Sequence, residues 1–195
     1  MTSPFLDRIA ELLQTAILSV HRFEFPYMAE RNASGTRRPA PRAETLVADY
    51  LDAISECRSR IGHEARLFIG GKSMGGRIAC LASLEKVLPE IAGVVVLGFP
   101  LTPPGKPQAN RGSILEAMRH RTLIVQGTRD TFGGRDAFQP LRLPQPVCVH
   151  FIEDSDHDLR PRKAGGRTHD EALQEAARSI AAFCLAESER DDQMR

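Results

Sequence analysis

Tryptophan is absent from this 195-residue chain, tyrosine occurs twice, and aromatic residues make up only 6% of it. The core must therefore be filled mostly by aliphatic side chains. No apolar run approaches the roughly 18 residues that cross a bilayer, and no basic stretch followed by an apolar one opens the chain, which argues against membrane insertion and secretion. An excess of either charge is missing too. With 26 basic and 25 acidic residues the formal charge is +1, which leaves no bulk attraction to nucleic acid or to an anionic membrane. Cysteine is sparse: Cys57, Cys80, Cys148 and Cys184 are widely separated and form no C-x-x-C pair or His/Cys cluster. Neither a metal site nor a disulfide framework is expected, and the four read as small core hydrophobes of a cytoplasmic protein.

What is present suffices for a globule. A composition of 42% apolar and 26% charged residues argues for a buried core and against disorder. The length fits one domain, placed over residues 1–186, with a polar tail over 187–195. Ser3 as N-cap, Pro4 at the first helical position, and Phe5, Ile9, Leu12, Leu13 and Ala16 at helical spacing predict a helix from residue 4 to about 15. Ile17 to Phe25, with Val20 and Phe23 among its β-formers, reads as a strand ended by Pro26. A polar loop through Asn32, Ser34, Gly35, Arg37, Arg38, Pro39, Pro41 and Arg42 leads to an amphipathic helix that carries Leu46, Val47, Tyr50, Leu51, Ile54 and Cys57. Further strands are predicted at Arg66 to Gly70, Gly93 to Leu97, Thr122 to Val125 and Val147 to Ile152, with helices after the first of these and from about Thr168 to Ala186. The strand runs are nearly continuous in apolar residues, which suits strands buried on both faces. The expected fold class is α/β, a doubly wound, mostly parallel sheet of about five strands.

In such a sheet the chemistry sits on loops at the carboxyl ends of strands. The loop after Gly70 contains Gly71-Lys72-Ser73-Met74-Gly75-Gly76, a G-x-S-x-G pattern expected by chance about 0.07 times in a chain of this composition. A serine on a strained strand-to-helix turn needs neighbours without a Cβ where strand and helix approach, and the turn thrusts its hydroxyl out at a helix N-terminus that favours negative charge. The overlapping P-loop reading of Gly71-Lys72-Ser73 fails, because its first glycine would fall on Arg66. Serine needs a base and an orienting acid. Asp130, in Gly127-Thr128-Arg129-Asp130, and His157, in Asp154-Ser155-Asp156-His157-Asp158, each follow their own strand, in the order Ser, Asp, His. Ser73 is thus the candidate nucleophile, His157 the base and Asp130 its orienter. Asp154, Asp156 and Asp158 are weaker rivals for the acid, because neighbours of His157 in sequence tend to diverge from it in space. His150 reads as a core residue.

On these residues, and on Arg22-Phe23-Glu24-Phe25-Pro26-Tyr27-Met28, Arg37-Arg38-Pro39, Gly70 to Arg77, Pro100-Leu101, Pro103 to Pro107 and Asp156-His157-Asp158-Leu159, the chain resembles a family of small α/β-hydrolase-fold proteins. The family is similar to dienelactone hydrolases and to the testis-expressed protein 30 family. The resemblance implies an α/β-hydrolase core without a separate cap domain and a serine hydrolase site, an esterase acting without cofactor. Dienelactone hydrolases use cysteine where Ser73 stands here. In the family a strand and a His-Gly-rich loop precede the first helix, and that loop supplies one of two oxyanion-hole donors. Here the Met74 N–H supplies one donor, the second has no candidate, and the expectation is that the native protein starts further upstream.

Specificity is expected from the loops at about 24–44, 99–113, 127–135 and 153–168, where basic residues outnumber acidic ones. The electropositive rim suits either a small acyl substrate that carries an anionic group, with Lys72 and Arg129 as its candidate contacts, or simply solvated surface arginines, and Pro103 to Pro107 reads either as a roof over the pocket or as a surface turn. The alternative to an ester-cleaving enzyme is a catalytically silent interaction module that keeps the fold. A nucleotide-binding protein is disfavoured by Arg66.

Overall fold

The structure, a computed structural model, describes residues 3–35, 39–103 and 111–186. Arg37, Arg38, most of the Pro103 to Pro107 segment and the tail over 187–195 lie outside the described residues. The chain opens with helix α1 (Pro4–Thr15), where the Ser3 hydroxyl accepts from the Leu6 N–H and Pro4 sits in the first turn, as its sequence signature requires. Then follow α2 (Pro26–Ser34), a 3-10 turn (Ala43–Leu46), α3 (Val47–Ile61), β1 (Phe68–Lys72), α4 (Met74–Ala82) and β2 (Gly93–Leu97). The short α5 (Gly112–Glu116), β3 (Thr122–Gly127), short α6 (Arg135–Phe138), β4 (Val147–Ile152), a 3-10 turn (Lys163–Gly165) and α7 (His169–Leu185) complete it. Thr168 and Glu171 form a reciprocal capping box at the start of α7.

All strand pairs are parallel, in the order β1-β2-β3-β4. Because side chains alternate along a strand, Val94, Val96 and Ile124 face a core shared with Tyr50, Ile54, Ile78 and Leu115, while Leu97, Leu123 and Val125 face a second core shared with Ile9, Leu13, Leu173, Ala176 and Ile180. Helices α3, α4 and α5 thus cover one face, and α1 and α7 the other. No separate cap domain is evident. Among the described residues no helix is long and apolar enough to cross a membrane.

The described residues form four strands, not five. Ile17 takes a left-handed conformation (φ 65°) and is 92% exposed, which ends α1 and turns the chain. Leu18 and Val20 then pack into the core of α1 and α7, whereas Phe23 and Phe25 pack into the opposite one. The segment therefore passes round the edge of the sheet and spends its β-forming side chains on packing instead of pairing. Part of the vacated edge is taken by Tyr50, whose buried hydroxyl donates to the Gly70 carbonyl (2.7 Å) and accepts from the Gly70 N–H (2.9 Å). Pro26 does not close a strand but starts helix α2, which runs through what reads as polar loop and ends on Gly35 at φ 66°, a left-handed cap that glycine adopts freely. Cys80 and Cys184 are buried, but Cys148, on the edge strand β4, is exposed, and His150 there is half-exposed and bound to Glu175 instead of lying in the core.

Candidate active site

Strand β1 runs two residues further than its apolar pattern suggests, so that Ser73 alone separates Lys72 from Met74, the first residue of α4. Ser73 is held at φ 54°, ψ −117°, a conformation that costs a non-glycine residue about 1–3 kcal/mol. Both of its backbone groups are bonded: its N–H donates to the Leu97 carbonyl at 2.9 Å, and its carbonyl accepts from the Arg77 N–H at 3.0 Å. The close approach that demands glycine falls at Gly71 and Gly76. A Cβ at Gly71 would lie 2.6 Å from the Gly75 carbonyl carbon, and one at Gly76 would lie 2.5 Å from Val96 Cγ1, while Gly75 has open space. The Met74 N–H belongs to the first turn of α4, where N–H groups have no intrahelical acceptor.

Three residues from three strand ends meet here. His157 Nε2 lies 2.9 Å from Ser73 Oγ, and His157 Nδ1 lies 2.8 Å from Asp130 Oδ2. The Asp130 side chain is fully buried and that of His157 is 17% exposed. An ionised carboxylate only accepts hydrogen bonds, so Nδ1 carries the proton and Nε2 is left to accept from the Ser73 hydroxyl. Asp130 is itself fixed: Oδ1 accepts from the Phe132 N–H at 2.7 Å, and Oδ2 also accepts from Gln126 Nε2 at 2.8 Å. Gln126, buried, spends its other N–H on the Gly133 carbonyl (2.8 Å) and accepts from the Phe99 N–H at 2.7 Å. The imidazole lies against the Phe132 ring, with centroids 4.4 Å apart. At Gly98 (φ 67°) a Cβ would sit 3.2 Å from the same imidazole, so that position needs glycine twice over.

Gln126, Phe132 and Gly98 escape the sequence reading. Gln126 leaves a trace, as a lone amide that ends an apolar strand, but the contacts of the other two exist only in three dimensions. The rival carboxylates are otherwise engaged. Asp154 binds Arg162 (2.6 Å), Asp156 Oδ1 accepts from the Asp158 and Arg160 N–H groups, and Asp158 pairs with Lys72 at 2.6 Å. The two cations expected to meet substrate are both bound within the chain, Lys72 by Asp158 and Arg129 through a 3.0 Å bond to the Asp154 carbonyl. Two surface cavities, of about 460 and 660 Å3, have walls that include Phe5, Arg8 and Asp158 in one case and Tyr27, Arg31 and Pro41 in the other. Neither wall includes Ser73 or His157, so neither cavity identifies the substrate.

A family model described as an alpha/beta hydrolase domain matches residues 1–185. Curated proteins give no match to the chain. Among solved structures it is similar to an alpha-beta serine hydrolase homologue from Coxiella burnetii, at 18% identity and a TM-score of 0.64, covering 90% of this chain and 76% of that one. An esterase domain from a Rhodothermus marinus protein is similar at 18% identity and a TM-score of 0.59, covering 92% of this chain and 78% of that one. A protein of unknown function from Agrobacterium tumefaciens is similar at 16% identity and a TM-score of 0.66, covering 92% and 76%.

Proposed function

Because the chain belongs to the alpha/beta hydrolase domain family, we propose that it is a serine hydrolase that cleaves a carboxylic ester or related acyl bond, with Ser73, His157 and Asp130 as its catalytic residues. The observation that carries this reading is the unbroken hydrogen-bonded chain from Ser73 Oγ through the imidazole to a buried carboxylate. Ser73 Oγ attacks the acyl carbon as its proton passes to His157 Nε2. Asp130 stabilises the resulting imidazolium, and the Met74 N–H donates to the developing oxyanion. The bond to the leaving alcohol then breaks, the alcohol takes the proton from Nε2, and an acyl-Ser73 ester remains. Water, deprotonated by the same imidazole, hydrolyses it and restores the serine.

The esterase domain and serine hydrolase homologue among the structural neighbours support the same reaction class. The test is labelling with a fluorophosphonate probe together with hydrolysis of p-nitrophenyl acetate. Labelling is expected in the native protein and absent in Ser73→Ala, whose kcat falls by at least about 10³-fold. Labelling that survives Ser73→Ala, or its absence from the native protein, refutes the proposal and favours the silent interaction module.

A further inference from the structure

The sheet order puts β4 three positions from β1, so the loop that carries His157 must reach back over roughly 14 Å of sheet to meet Ser73. Between Ile152 and the 3-10 turn at Lys163 that loop has no helix or strand of its own. Asp154 and Leu159 are left-handed (φ 57° and 58°), and an isolated bridge from Ser155 to Pro161 closes it. A single direct ion pair joins its tip to the nucleophile turn among the described residues: Lys72, immediately before Ser73, places Nζ 2.6 Å from Oδ1 of Asp158, immediately after His157. Both ends are anchored. The Lys72 ammonium lies 5.1 Å from the centre of the Phe5 ring on α1, and its side chain is only 18% exposed. The Asp158 N–H donates to Asp156 Oδ1 at 2.9 Å, and the Asp158 carbonyl accepts from His169 Nε2 at 2.8 Å.

Resting on the proposed hydrolase reading, we propose that Lys72 and Asp158 are positioning residues, whose ion pair clasps the nucleophile turn to the histidine loop and holds His157 Nε2 within bonding reach of Ser73 Oγ. A pair whose carboxylate is 60% exposed stabilises a fold little. Its position tells more, because a misplacement of about 1 Å between reacting groups can cost about 10²-fold in rate. The Lys72 ammonium, hydrogen-bonded to Asp158, also holds that carboxyl below the usual carboxylate range, so the clasp stays ionised at neutral pH.

The experiment compares the native protein with Asp158→Asn, Lys72→Met, Lys72→Arg and the charge-reversed double variant Lys72→Glu with Asp158→Lys. It reads p-nitrophenyl acetate kinetics, fluorophosphonate labelling rate, thermal midpoint and the 15N shifts of the His157 imidazole. The expected result is a fall in kcat and labelling rate of about 10- to 100-fold in Asp158→Asn and Lys72→Met, with KM changed less than about twofold and the midpoint shifted by no more than a few degrees. Lys72→Arg and the reversed pair recover most of the loss. Folded single variants with native kcat, losses that track the midpoint, or a double variant worse than either single one overturn the clasp. If the native protein neither labels nor hydrolyses the ester, the hydrolase reading fails and the clasp is judged on the 15N shifts alone. Shifts that move in Asp158→Asn toward an imidazole freed of Ser73 uphold it, and unchanged shifts overturn it.

Discussion

Replacing Gln126 with leucine removes three partners at once from a fully buried place. The Phe99 N–H loses its acceptor, the Gly133 carbonyl loses its donor, and Asp130 Oδ2 loses one of the two donors that hold it. An orphaned buried backbone group costs about 1–3 kcal/mol, and a lost bond to a charged group about 1.5–3 kcal/mol, while the added apolar surface returns roughly 1 kcal/mol. The net expectation is a loss of about 2.5–8 kcal/mol, a large share of the 5–15 kcal/mol typical of a domain. With a urea slope of about 2 kcal/mol/M, the midpoint of urea unfolding should fall by about 1.2–4 M with the slope unchanged. Under the proposed mechanism the surviving folded fraction should also turn over more slowly, because Asp130 then has only the Phe132 N–H and the imidazole to fix it. A midpoint shift below about 0.5 M, or about 1 kcal/mol at that slope, would refute the claim that this amide is the structural support of the acid.

Tyr50→Phe should cost about 2–4 kcal/mol, because it strips both the acceptor and the donor from Gly70 on the open edge of β1. Urea unfolding measures this, and a change below about 1 kcal/mol would mean that other groups satisfy Gly70. The Asp158 carboxyl, followed by its 13C shift, should titrate below the usual carboxylate range in the native protein, chiefly through its hydrogen bond to Lys72, and should move upward in Lys72→Met. A folded carboxyl depressed in this way contributes stability above its unfolded pKa and loses it as the pH falls through its folded pKa. The clasp is thus intact at neutral pH and released only in acid, and an Asp158 titration unmoved by Lys72→Met would contradict the pairing.

What the sequence reveals of this molecule depends on whether a structural need is local. Ser3 caps a helix by a contact three residues away and Pro4 starts it through its fixed φ, and both are readable. The apolar runs of β2 and β3 are readable because both faces of a central strand are dry, whereas β4, on the edge with Cys148 exposed, is readable from its β-formers alone. The positions of Ser73, Asp130 and His157 after separate strands follow from the same pattern, since a parallel sheet gathers its strand ends on one side. The distances between them do not. Residues 17–25 fail as a strand because β-formers show only that side chains want burial, and here Leu18, Val20, Phe23 and Phe25 find it on two faces without a ladder. Pro26 is ambiguous by nature, because the same fixed φ ends a strand or starts a helix. Lys72 and Arg129 look like free cations until folding supplies Asp158 and Asp154.

The two halves of the candidate site are held in different ways, and under the proposed mechanism this decides where its rate should be adjustable. Ser73 is strained, but the ladder to Leu97 and the first turn of α4 bond both its backbone groups, and Gly71 and Gly76 leave no room for the turn to relax. Ser73 is thus over-determined by the two regular elements that flank it, which is the condition under which strain of about 1–3 kcal/mol persists. His157 has no such frame. Its place is set by four contacts from three segments: Asp130 at one ring nitrogen and Phe132 against one face, from one loop, Gly98 close by, and the Lys72 bridge through its neighbour Asp158. Apart from Gly98, each is a single side-chain contact, replaceable without breaking a strand or a helix. Substitutions of Gly71 and Gly76 should therefore register first as lost stability, and those of Phe132 and Asp158, under the proposed mechanism, first as lost rate in a protein that still folds.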